Sequence, residues 1–275
     1  MKKVFLYDTT LRDGMQGENI YFSPEDKVKI AKRLDEAGIH YIEGGWPGSN
    51  PGAQHFFELA KDMEFKNAKV AAFGSTRRPG KTCDQDANIQ ALIDSQAPVV
   101  TIFGKSWDLH VESIMQNTKE ENLAMIKESI SYLLKQEREV IYDAEHFFDG
   151  YRHNPAYALE TMRAAINGGA DIIVLCDTNG GTMAAEIQST IREAMANTTL
   201  PVGIHAHNDC GLALSNSLVA VQSGVTMVQG TVNGYGERCG NADLISLIGN
   251  LQYKMGYQCI APQSLKLLTE LSRYV

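Results

Sequence analysis

Short runs of β-branched and aromatic residues alternate with longer amphipathic stretches from one end of the 275-residue chain to the other. The short runs fall at 4–7, 40–43, 69–73, 99–103, 140–143, 172–175, 202–205 and 227–229, and each reads as a strand. Between and after them, apolar positions recur at helical spacing near 24–37, 52–62, 84–95, 119–136, 156–168, 184–196, 211–223 and 242–255. Ser23-Pro24-Glu25 supplies a capping hydroxyl followed by proline at the first helical position, and Asn154-Pro155 repeats the device. Gly38 and Gly168-Gly169 mark helix ends. Eight strand–helix units match in count and spacing the (β/α)8 TIM barrel, an α/β fold of about 250 residues. A doubly wound sheet of the same units is the competing architecture. No linker, low-complexity segment or charge block divides the chain. The barrel is therefore expected over residues 1–260, with a further helix from Pro262, so that 261–275 opens a C-terminal helical extension that is truncated here.

Composition narrows the partners. With 25 basic against 33 acidic residues the net charge is −8, which argues against a nucleic-acid or anionic-membrane partner. No apolar run approaches the ~20 residues of a membrane span, and Asp8 arrives too early for a signal-peptide core. The five cysteines are scattered without a CxxC pair, as expected of reduced, mostly buried thiols in the cytoplasm.

In a TIM barrel the chemistry sits at the C-terminal ends of the strands, and reactive residue types gather there. Arg12-Asp13-Gly14 follows the first strand, Glu43 ends the second, Asp143 and Glu145 end the fifth, and Asp177-Thr178 the sixth. His205-Ala206-His207 ends the seventh, and a glycine-rich stretch, 233–241, follows the eighth. Residues i and i+2 of a strand share a side, so both imidazoles can face the mouth together, either as hydrogen-bonded strand-end histidines or as a ligand pair. Asp13 would lie close by once the eighth strand closes on the first. Two imidazoles and a carboxylate suit Zn, Mn or Co, and less naturally Mg. Asn208 and Asp209 are candidates to hold these ligands from behind. Asn241 is placed to cap the last barrel helix or to offer its amide oxygen to the metal. Arg12 is either a turn residue or a cation for a substrate carboxylate or carbonyl oxygen. Glu145 is either part of a salt bridge or an acid–base or positioning carboxylate, and Thr178 either caps a loop or binds a substrate carboxylate. Arg77-Arg78 reads as a solvated loop pair, with a coenzyme-phosphate role as the alternative.

Taken together, Asp8-Thr9-Thr10-Leu11-Arg12-Asp13-Gly14, His205-Ala206-His207-Asn208-Asp209 and Gly234-Tyr235-Gly236-Glu237-Arg238-Cys239-Gly240-Asn241 resemble the DRE-TIM metallolyase superfamily. Within it they look like the acetyl-CoA-dependent Claisen-condensing synthases of citramalate, 2-isopropylmalate and homocitrate. The stretches 72–78, 103–110 and 143–150 point to the citramalate synthase-like branch. The resemblance implies a divalent metal on Asp13, His205 and His207, with Asn241 as the further candidate ligand, chelating a 2-oxo acid. It also implies Arg12 at the developing oxyanion, Thr178 on the carboxylate and Glu145 near the reacting centre. Acetyl-CoA would lose a methyl proton, its enolate would attack the carbonyl of pyruvate, and the thioester would be hydrolysed to citramalate and CoA. A 2-isopropylmalate or homocitrate synthase, or a lyase or aldolase running on the same site, is the alternative. A homodimer is implied too. Such synthases normally continue past the barrel into a subdomain that contributes a His and a Tyr, whereas the last histidine here is His207. The resemblance thus implies a stretch that binds metal and oxo acid but turns acetyl-CoA over poorly by itself.

Overall fold

The computed structural model describes residues 2–275; residue 1, where the expected barrel range opens, lies outside them. Eight parallel strands close into a barrel, and their connections carry the helices. The strands are β1 (Phe5–Asp8), β2 (Tyr41–Gly45), β3 (Lys69–Ser75), β4 (Val99–Lys105), β5 (Glu139–Glu145), β6 (Ile172–Asp177), β7 (Val202–Ala206) and β8 (Met227–Gly230). Closure is made by β8 against β1, with Leu6 opposite Val228 and Tyr7 opposite Gln229. The doubly wound alternative is thereby excluded.

Strand alternation sorts the side chains. Tyr7, Tyr41, Ala71, Val99, Ile141, Val174 and Met227 pack as one buried cluster inside the barrel. Their neighbours Leu6, Ile42, Ala72, Val100, Tyr142, Ile173 and Val228 join the larger core beneath the helices. The same alternation carries Glu43, Phe73, Phe103, Asp143, Glu145, Cys176 and His205 upward along the inner face.

The helices are α1 (Pro24–Ala37), α2 (Pro51–Ala60), α3 (Ala87–Asp94), α4 (Lys119–Lys135), α5 (Phe147–His153), α6 (Pro155–Gly168), α7 (Ala184–Ala196), α8 (Ala213–Gln222), α9 (Leu244–Gly249) and α10 (Leu268–Tyr274). Helix α1 shows the local logic: the Ser23 hydroxyl accepts from Asp26 N at 3.1 Å, Pro24 opens the first turn, and Gly38 ends it at φ 92°. Its buried stripe includes Ile30, Ala31 and Leu34. Three expectations shift. The third helix starts at Ala87, not 84, because the Asp86 carboxylate accepts from Asn88 N and Ile89 N and so caps it there. Helix α9 is capped by Asp243, not Asn241, and gives way to a π-helical turn at Asn250–Lys254. Arg77 is buried, not solvated: its guanidinium donates to Glu121 at 2.7 Å and to Glu128 at 2.8 Å, while Arg78 is exposed. After a 3-10 turn at Pro262–Leu267, α10 packs on α1, where Glu270 lies 3.6 Å from Arg33. Among the described residues no helix is long and apolar enough to cross a membrane.

One buried histidine gives the barrel a pH signature. His40 Nδ1 accepts the Leu6 N–H at 3.1 Å, and burial, with Lys3 adding, lowers its pKa from 6.5 to about 4. Between those values the unfolded chain holds a proton that the folded chain does not, so His40 costs stability as the pH falls through this window. Asp8 and Asp143, both pushed up to about 7 chiefly by burial, act in the opposite sense. The expected result is therefore a difference: wild type should lose stability relative to His40→Asn, which keeps an acceptor, as unfolding is followed from pH 6.5 to 4. Parallel curves would mean that His40 titrates normally.

Candidate metal centre at the barrel mouth

The turn after β1 places the first two residues of the site. The Asp8 carboxylate accepts from Thr10 N at 3.0 Å and Thr10 Oγ1 at 2.8 Å, and Thr9 O accepts from Arg12 N and Gly14 N. This folds Arg12 and Asp13 back over the mouth. From the far side of the closure, β7 delivers His205 and, one residue past its end, His207. The two Nε2 atoms lie 3.1 Å apart, with Asp13 Oδ2 at 3.4 Å from the first and 4.0 Å from the second. Among the described residues this is the one group of His, Cys, Asp or Glu side chains with ligand atoms gathered closely enough for a metal ion.

Asn241 stands behind Asp13, on a loop that runs back antiparallel to the end of β7, with His207 opposite Asn241. Its Nδ2 donates to Asp13 Oδ1 at 3.1 Å and to Tyr235 O at 3.1 Å, while its buried Oδ1 has no partner. The loop needs its glycines at two places. At Gly236 (φ 149°) a Cβ would sit 2.0 Å from Asn241 Nδ2, and at Gly240 (φ 87°) 2.0 Å from Gly234 O.

The electrostatics fit a cation. Burial alone would raise Asp13, but Arg12, His205 and His207 outweigh it and hold the carboxylate well below its usual range. His205 is lowered by burial yet raised further by the hydrogen bond and charge of Asp13, so it ends above its ordinary value. His207 is pushed down to about 3 by burial and by His205. A neutral imidazole and an ionised carboxylate, converging with a second imidazole, are donors suited to a divalent first-row ion.

Arg12 is held on three sides. Its Nε donates to Glu43 Oε1 at 2.6 Å, Nη1 lies 3.5 Å from Asp13 Oδ2, and its guanidinium carbon sits 3.8 Å from the Phe73 ring centroid. Glu43 is itself buried and accepts from Tyr7 Oη at 2.7 Å. Glu145 forms an ion pair with Lys105 from the end of β4. The Thr178 hydroxyl accepts from His146 N at 2.9 Å, and the Thr178 carbonyl accepts from Arg238. Arg12, Asp13, Glu145, Thr178, His205 and His207 all line one cavity of about 180 Å³, with Asp143 and Cys176 beside them. Trp46, Phe73 and Phe103 form an aromatic wall, with Trp46 edge-on to both phenylalanines. Asn241 is not among the lining residues.

Asn208 and Asp209 do not brace the histidines. The Asn208 Oδ1 accepts from Ala213 N at 3.1 Å, and Asp209 pairs with Arg238 at 2.7 Å. The side chain that touches His205 from behind is Gln229, whose Oε1 lies 2.9 Å from His205 Nδ1. Lys105, Trp46 and Gln229 escaped the sequence reading. The inward alternation of β4 and β8 was the available signal for Lys105 and Gln229.

The fold and the mouth cluster define a (β/α)8 barrel with a candidate divalent-metal centre. Residues 3–275 match the HMGL-like family, and the chain belongs to it. It is 56% identical over 275 residues to an (R)-citramalate synthase of Aquifex aeolicus, covering 100% of this chain and 52% of that protein. A second (R)-citramalate synthase, from Geobacter sulfurreducens, is 55% identical with the same coverage. A probable 2-isopropylmalate synthase of Methanopyrus kandleri is 34% identical over 273 residues, 99% of this chain and 52% of that protein. The chain thus spans about half the length of these relatives. Among solved structures, an HMG-CoA lyase of Bacillus subtilis superposes with a TM-score of 0.83 at 21% identity, covering 100% of this chain and 93% of the other, a likeness of fold.

Proposed function

We propose that this chain is the catalytic barrel of an acetyl-CoA-dependent synthase that condenses acetyl-CoA with pyruvate to give citramalate and CoA. The observation that carries the reading is the small cavity in which Arg12, Glu145 and Thr178 face the Asp13–His205–His207 cluster across from an aromatic wall. The identities of 56% and 34% to citramalate and 2-isopropylmalate synthases favour the former reaction. Asp13, His205, His207 and Asn241 would hold the metal, with Mn, Zn or Co better suited to these donors than Mg. When bound, the ion would supply Lewis acidity at the 2-oxo-acid carbonyl.

The chain's own residues do the remainder. Arg12 faces the carbonyl oxygen, where negative charge grows as the new carbon–carbon bond forms. Thr178 holds the substrate carboxylate. Glu145, fixed by Lys105, is the carboxylate available for the proton that leaves the acetyl methyl group. The enolate carbon bonds to C2 of the oxo acid, the resulting alkoxide takes up a proton, and water then cleaves the thioester, releasing the thiol. Phe73, Phe103 and Trp46 enclose the side chain at C3 of the oxo acid and suit a methyl group. Residues 1–260 are the barrel in this proposal, with 261–275 leading out of it. A homodimer and a cytoplasmic location belong to the same proposal.

The test is a panel of 2-oxo acids with acetyl-CoA and the Mn-loaded protein, following thiol release and, separately, oxo-acid binding by calorimetry. Pyruvate should exceed 2-oxoisovalerate in specificity constant by about 10- to 200-fold, the discrimination reached for a methylene or two against a packed wall. Preference for 2-oxoisovalerate would move the chain to the 2-isopropylmalate synthases. Carbon–carbon cleavage without thiol release would make it a lyase.

A further inference from the structure

We infer that Gln229 is a positioning residue that fixes which ring nitrogen of His205 carries the hydrogen, leaving Nε2 open to the cation, and that Asp143 fixes Gln229 in turn. The inference rests on the metal-site reading proposed above and extends it to the residues behind the ligands.

Gln229 lies on β8, opposite His205 of β7 on one side and Tyr7 of β1 on the other, and is fully buried. A primary amide has one donating and one accepting end, and which end faces which neighbour is decided by the partners. Here Nε2 donates to Asp143 Oδ1 at 3.0 Å. The donor end is thereby committed, and Oε1 is turned toward His205 Nδ1 at 2.9 Å. Two lone pairs at that distance repel, so Nδ1 must carry the hydrogen and donate. A neutral ring with hydrogen on Nδ1 presents its lone pair at Nε2, the atom 3.1 Å from His207 Nε2 and 3.4 Å from Asp13 Oδ2. Were the amide reversed, its NH2 would face Nδ1 and the ring hydrogen would move to Nε2, pointing at the cation position.

Burial gives the arrangement its force. Asp143 is 4% exposed and His205 5% exposed, and a low-dielectric interior penalises the mismatched amide. His207 has no comparable support, because its Nδ1 is buried without a partner. One imidazole of the pair is therefore oriented by the barrel interior and the other is not. Glutamine in a polar filler role would influence stability alone, whereas this role predicts a ring tautomer and a metal affinity.

The experiment uses the full chain. In metal-free protein, 15N spectra of the imidazoles at a pH where His205 is neutral report the tautomer. In parallel, Co2+ is titrated calorimetrically into wild type and Gln229→Met. The wild-type hydrogen should be on Nδ1. Gln229→Met, whose thioether is only a weak acceptor, should bind Co2+ about 10- to 100-fold more weakly. A wild-type hydrogen on Nε2, or unchanged affinity in Gln229→Met, would overturn the inference. The wild-type spectrum requires neither a folded variant nor bound metal, so it separates failure here from failure of the metal reading.

Discussion

For the condensation proposed above, Arg12→Lys should lower turnover by about 100- to 1000-fold relative to the wild-type chain, the range seen when one donor at a developing oxyanion is lost. The melting temperature should move by only about 2–4 °C, as for ~1 kcal/mol in a chain of this size. The guanidinium is planar and anchored: Nε on Glu43 at 2.6 Å, one face on Phe73 at 3.8 Å, and Nη1 toward Asp13 at 3.5 Å. A lysine ammonium can satisfy Glu43, but one point charge cannot also present a fixed donor to the cavity. Lysine is the informative substitution because Glu43 is fully buried. Alanine would strand that carboxylate at a cost of about 3–5 kcal/mol and mix a folding defect into the kinetics. Thiol release at saturating pyruvate and acetyl-CoA, alongside thermal melts, checks the claim. Near-normal turnover in Arg12→Lys would leave Arg12 as a structural partner of Glu43.

How far this could be read along the chain depends on whether a feature is local. Helices 24–37 and 184–196 have the same bounds in the sequence pattern and in the structure, because apolar spacing and end signals lie within each segment. Helix α5 has no such signal. Its seven residues start from His146 at φ 56° and contain Gly150, which reads as a loop. That glycine answers a tertiary demand, since a Cβ there would sit 2.1 Å from Ser106 O. The residues bearing candidate chemistry were legible because strand-end position and i, i+2 spacing are properties of the linear sequence. Their partners were not. Lys105 meets Glu145 across paired strands, Gln229 meets His205 from an adjacent strand, and Asp209 turns away to Arg238. These pairings follow from barrel register and loop direction, and proximity in sequence misled where it favoured Asn208 and Asp209.

The second large effect is expected at His207. In His207→Asn, divalent-cation affinity should fall by more than the 10- to 100-fold that follows loss of a supporting residue. Turnover should drop about 1000-fold, since several kcal/mol of Lewis-acid stabilisation correspond to a few powers of ten in rate. The metal-free protein should fold as well as wild type, and this asymmetry separates a ligand from a structural histidine. His207 is 5% exposed, its Nδ1 has no partner, and its Nε2 faces another imidazole nitrogen at 3.1 Å. Burial and His205 keep the ring neutral down to about pH 3, so no ion pair with Asp13 is lost near neutrality when it is replaced. A buried polar atom without a partner costs about 1–3 kcal/mol, and His207→Asn removes that unpaired Nδ1, which works against the packing lost with the ring. Metal content after dialysis, calorimetric titration and melts of the metal-free protein measure the three quantities separately. A marked loss of apo stability would assign His207 to the fold, and full metal occupancy in a variant lacking both His205 and His207 would remove the pair from the metal site altogether.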